Sequence, residues 1–110
     1  VFVPKQLSPQ AFQILLSLSD KQLHGYAIIR DVKHRTTGRV TLTASTLYTA
    51  IKRMLREGLI EESEQRPVPE LDDERRVYYG ITTKGKRVLR REAQWLDEVA
   101  AMARRKGLLA

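Results

Sequence analysis

No cysteine occurs in this chain of 110 residues. That excludes a disulfide framework and any thiolate metal site, and it fits a reducing, cytoplasmic setting. Long apolar runs are missing too: none approaches the ~20 residues that span a bilayer, and no charged-then-greasy leader opens the chain. No membrane partner is expected. Only two histidines are present, His24 and His34, without cysteine or a carboxylate pattern around them. Neither a metal site nor a catalytic triad is suggested. No glycine-rich phosphate loop occurs either, so neither catalysis nor a bound cofactor is expected. What is present, 42% hydrophobic and 30% charged residues, is the composition of a globular chain rather than a disordered one. At this length the prior is a single modest core.

The formal net charge is +7 and the pI about 10.1, which favours a polyanionic partner. The charge comes in blocks. Residues 21–58 carry Lys21, Arg30, Lys33, Arg35, Arg39, Lys52, Arg53 and Arg56 against Asp31 and Glu57. Residues 59–74 hold seven acids and one base, Arg66. Residues 75–91 hold Arg75, Arg76, Lys84, Lys86, Arg87, Arg90 and Arg91 with no acid at all. Two basic blocks around an acidic segment suit a directed surface; they would equally suit solvated helix faces beside a counter-charged loop.

Local signals divide the chain into elements. Ser8-Pro9 is a helix start, followed by Phe12, Leu15, Leu16 and Leu18 at helical spacing and an end near Asp20. A second helix is expected over 25–36, with Ile28, Ile29 and Val32 buried and Gly38 as terminator. Val40-Thr41-Leu42 has the β-branched character of a minimal strand. Thr43 caps a third helix over 44–57, stopped by Gly58. Leu59 to Ser63 reads as a strand, and Arg76 to Ile81 as another, with Val77, Tyr79 and Ile81 on one face and Arg76, Tyr78 and Gly80 on the other. The prolines and acids between them make a long hairpin arm. Thr82 caps the last helix, over 83–106, which Gly107 closes. The expected fold is mainly α with a small two-stranded β wing. It is a winged helix-turn-helix over residues 1–82 plus a long C-terminal dimerisation helix over 83–110.

At ~100° per residue, the 44–57 helix has an apolar stripe of Leu47, Ala50, Ile51, Met54 and Leu55. Its opposite stripe is Ser45, Thr49, Lys52 and Arg56, with Tyr48 on one shoulder and Thr46 and Arg53 on the other. In a helix-turn-helix this helix lies in the DNA major groove. Small hydroxyls near its start permit close approach, and later cations suit phosphates or a guanine edge. No acid interrupts this face until Glu57. In the wing, Arg75 and Arg76 are placed for the DNA backbone while Asp72, Asp73 and Glu74 stay outside. An ion-pair set within the hairpin would explain the same residues, though exposed pairs stabilise little. A winged helix that docks an acidic protein partner is the competing reading of the whole surface.

The last helix carries Val88, Leu89, Trp95, Leu96, Val99, Met102 and Ala103 on nearly half its circumference. A small preceding domain covers only its first turns, and an uncovered apolar face marks a partner surface. A second copy is the economical partner, since twofold pairing presents two reading helices one DNA turn apart. Paired across the axis, Trp95, Val99 and Met102 have the chemistry either of dimer packing or of a seat for a small aromatic ligand.

Four motifs, in order, are similar to one known pattern. They are Leu23-His24-Gly25-Tyr26, Ser45-Thr46-Leu47-Tyr48, Leu55-Arg56-Glu57-Gly58-Leu59-Ile60 and Tyr78-Tyr79-Gly80-Ile81-Thr82-Thr83-Lys84-Gly85. Through them the chain resembles the PadR family of transcriptional regulators over residues 7–107. It departs at Ala44, where the family often has glycine or proline, and at Gly80, where a longer residue is common. The resemblance implies a homodimeric repressor on an inverted-repeat operator, the third helix in the groove and the wing on the backbone. It also implies that Tyr26 lies near DNA phosphates, a position where packing at the helix start is the other use of a tyrosine. Some relatives respond to aromatic small molecules.

Overall fold

The computed structural model describes residues 7–63 and 76–110. The element order is α1 (Pro9–Ser17), β1 (Leu23–His24), α2 (Gly25–Arg35), α3 (Ala44–Arg56), β2 (Ile60–Ser63), β3 (Tyr78–Ile81) and α4 (Thr83–Arg105). Each helix begins on a side chain that accepts an otherwise unpaired backbone N–H. Ser8 accepts from Ala11, Thr43 from Thr46 and Thr82 from Gly85. α2 starts unexpectedly on His24, whose Nδ1 accepts from Ala27 N at 3.2 Å. The three expected terminators, Gly38, Gly58 and Gly107, all take the left-handed conformation, with φ of 78°, 74° and 78°. At Gly58 this lets Leu59 N reach back to Met54 O at 2.9 Å and turns the chain directly into β2.

The two-stranded wing forms as expected from β2 and β3, and among the described residues β1 joins it, giving the order β1-β3-β2 with both pairs antiparallel. β1 pairs Leu23 with Tyr79 and His24 with Tyr78, which places β3 in the centre. The expected alternation along β3 is therefore absent: Tyr78, Tyr79 and Gly80 are all buried. The His24 ring meets Tyr78 edge-on, with centroids 5.3 Å apart, and helps close the face that a two-stranded hairpin would leave wet. Val40–Leu42 forms no strand. Val40 N donates instead to Thr36 Oγ1 at 3.1 Å, and Leu42 drops into the core.

α1, α2 and α3 pack around Ile14, Leu15, Leu18, Ile28, Val32, Leu47, Ile51 and Met54, joined by Leu59 just before β2 and by Ile60 and Tyr79 from the sheet. Leu16, expected on the buried stripe, is exposed. Leu89 requires a further correction. It was a candidate for the dimer face, yet it is only 7% exposed within the single chain, because the first turns of α4 pack on α1 and the core. Val88 also packs against that core. Farther along, α4 leaves the body. The radius of gyration is 15.6 Å, above the ~13 Å of a compact domain of this size.

Candidate nucleic-acid interface

The sequence places an uncharged cap, short hydroxyls and then cations along one side of α3, and the packing leaves that side open. Leu47, Ile51 and Met54 are buried, while Ser45, Thr46, Tyr48, Thr49, Lys52, Arg53 and Arg56 are all exposed. Two of the seven are already engaged locally. The Thr46 hydroxyl accepts from Thr43 Oγ1 at 3.0 Å, and Arg53 Nε donates to Glu57 at 3.1 Å. That second bond matters electrostatically, because the one acid at the end of this face is spent on its own i−4 neighbour. Among the described residues, Lys52 and Arg56 have no carboxylate partner.

Tyr48 is positioned by a glycine. A Cβ on Gly25 would overlap the Tyr48 hydroxyl and press on Leu47, so the bare backbone at the start of α2 is what lets Tyr48 lie across it. Tyr48 remains 48% exposed and Tyr26, one residue further along α2, 61% exposed. Beneath them, burial pushes the Tyr79 pKa up, with Tyr48 and Glu62 adding to the shift, so its hydroxyl stays neutral. Arg76 is exposed at the root of the wing, across a groove from Tyr26 and Tyr48. Arg75 and the acidic residues Asp72, Asp73 and Glu74 lie outside the described residues.

The far end of α3 is held by α4. Thr82 Oγ1 donates to Gly58 O at 2.6 Å, Thr82 N to Leu59 O at 3.1 Å and Lys84 Nζ to Glu57 O at 2.8 Å. Lys84 thus satisfies a carbonyl at the C-terminus of α3, where a cation is favoured. The sequence counts it only as one more surface charge. Its one local signal is its position in the first turn of α4, where the helix dipole disfavours a cation. Arg35 is likewise diverted: it donates to Asp31, to Gln13 twice and to Ser17, tying α2 to α1. On α4, Trp95, Leu96, Val99 and Met102 are 42%, 47%, 40% and 44% exposed, and Ala103 is half-buried.

Among the described residues, no group of three or more His, Asp or Glu could hold a metal ion, and no helix is long and apolar enough to cross a membrane. No curated protein matches the chain by sequence. Among solved structures, a PadR family transcription regulator from Clostridium difficile is similar over 89% of this chain and 97% of its own, with 26% identity and a TM-score of 0.72. A PadR-like transcriptional regulator from Bacillus cereus shares the fold at 24% identity and a TM-score of 0.71, covering 86% of this chain and 87% of its own. A transcriptional regulator from Clostridium thermocellum does so at 22% identity and 0.72, with 87% of each chain covered. The sequence profile of the transcriptional regulator PadR-like family matches residues 14–91, from the middle of α1 to the third turn of α4, and the chain belongs to that family.

Proposed function

We propose that the protein is a sequence-specific, homodimeric DNA-binding repressor that recognises an inverted-repeat operator. Ser45, Thr49, Lys52 and Arg56 of α3 enter the major groove, flanked by Thr46, Tyr48 and Arg53. Arg75 and Arg76 of the wing follow the backbone. The observation that carries this reading is the outer face of α3, exposed throughout and without a free carboxylate. The expected result is duplex binding whose log K falls linearly with log salt, with a slope set by the phosphates neutralised. Lys52→Ala and Arg56→Ala should each weaken binding about tenfold. Titration of labelled duplex by fluorescence anisotropy measures both; no loss from either variant removes this assignment of the reading face. A protein that binds no duplex at any salt would favour a winged helix used for protein assembly.

Residues 1–82 form the DNA-binding unit in this reading, and 83–110 the dimerisation helix, whose first two turns also complete the core. Trp95, Leu96, Val99, Met102 and Ala103 supply the contact between copies. Four large apolar side chains about half exposed along one helix are costly to leave in water, at about 25 cal/mol per Å² of apolar surface. Light scattering in dilute buffer is expected to give twice 12.7 kDa, and a stable monomer overturns the pairing. A small aromatic effector would enter beside Trp95, Val99 and Met102, where a ligand could alter the angle between the two α4 helices. Lys84, Thr82 and Gly85 would pass such a change to α3.

A further inference from the structure

A second cationic surface runs along α2. At about 100° per residue, Tyr26, Arg30 and Lys33 fall within about 60° of one another on that helix. All three are exposed. The only carboxylate of α2, Asp31, lies on the side facing α1, where it is bonded to Arg35 at 2.8 Å and lies 3.8 Å from Lys21. Among the described residues, neither Arg30 nor Lys33 forms an ion pair. Their charge is free for an external anion.

Arg30 is also held in place. Its guanidinium carbon lies 5.6 Å from the centroid of the Tyr26 ring. Attraction to the ring face restrains the guanidinium, whose planar fork of N–H donors suits phosphate oxygens. The stripe begins beside the reading face: a groove of about 410 Å³ has Tyr26 on one wall and Tyr48 of α3 with Arg76 and Val77 of the wing on the others. From Tyr26 to Lys33 it extends about 10 Å along the helix axis. We propose that Arg30 and Lys33 form a phosphate-binding stripe that grips the DNA backbone beside the groove entered by α3, with the Tyr26 ring holding Arg30 ready. This rests on the DNA-binding reading above and adds a surface to it.

A phosphate stripe sets the position of the protein on the duplex and carries no base information. Its loss must therefore weaken binding to every sequence alike. The test titrates the full chain against a mixed-sequence duplex and an A·T-rich duplex at several salt concentrations. The double variant Arg30→Ala/Lys33→Ala is expected to lower affinity at least tenfold on both, and to reduce the salt slope by about two. Tyr26→Phe, which keeps the ring, should leave the cost of Arg30→Ala as it is in the parent chain. Tyr26→Leu should bind more weakly, and Arg30→Ala should then cost less than it does in the parent chain. Thermal melts of these exposed variants report that the fold is intact. A double variant with the parent slope overturns the stripe and leaves the α3 reading standing, whereas a parent chain that fails to bind either duplex sinks both. Equal cost of Arg30→Ala with and without the Tyr26 ring overturns the role of the ring.

Discussion

Replacing Gly85 with alanine is expected to destabilise the protein by about 3 kcal/mol or more, lowering Tm by about 15 °C. Gly85 sits in the first turn of α4, where a Cβ would overlap the backbone carbonyl oxygen of Leu59 and crowd Ile81. Neither can yield cheaply. The Leu59 carbonyl accepts from Thr82 N, and Leu59 itself is buried, so moving it disturbs the end of α3 and the start of β2 together. Gly25 offers the matched comparison. There the methyl would meet the far end of the half-exposed Tyr48 side chain, which can swing away. Thermal unfolding of the Gly85→Ala chain at fixed concentration measures the effect, and a Tm within a few degrees of the parent would refute the tight junction between α3 and α4.

Arg35→Ala is expected to cost about 2–3 kcal/mol in chemical denaturation, more than an exposed cation would. The side chain is 29% exposed. It makes four hydrogen bonds, and its loss would strip the buried Ser17 hydroxyl of its donor. Arg35→Lys should recover little, since an ammonium cannot reach Asp31, Gln13 and Ser17 together. Acid sensitivity provides a second readout. Burial pushes the Asp31 pKa up, but hydrogen bonds from Arg35 and Ser17 and the charges of Arg35 and Lys21 outweigh it, leaving the value below the ordinary carboxylate range. A lowered carboxyl pKa contributes stability that is complete above its unfolded value near 3.9 and disappears as pH falls through the folded value. In the Arg35→Ala chain that acid-side loss should be smaller. An unchanged denaturation midpoint would mean that α1 and α2 are held by the apolar core alone.

The sequence by itself determined the helices, because their limits are set by neighbours a few residues away. Ser8, Thr43 and Thr82 accept the first free N–H groups, and glycines at 38, 58 and 107 turn the chain out of the helix. The reading face of α3 was legible for the same reason, since a 100° step sorts Leu47, Ile51 and Met54 from Ser45, Lys52 and Arg56 without knowledge of the partner elements. The tertiary structure alone decided which cations remain on the surface. Arg35, Lys84 and Arg30 are all plain cations in the sequence, yet the first ties α1 to α2, the second holds the end of α3, and the third lies exposed over the Tyr26 ring. It also decided the third strand, whose two residues pair with a strand more than fifty positions later, and the inward side of Leu89. Local backbone bonding can be read from spacing. The partner of a long side chain or a two-residue strand depends on which distant segments the folded core brings beside it.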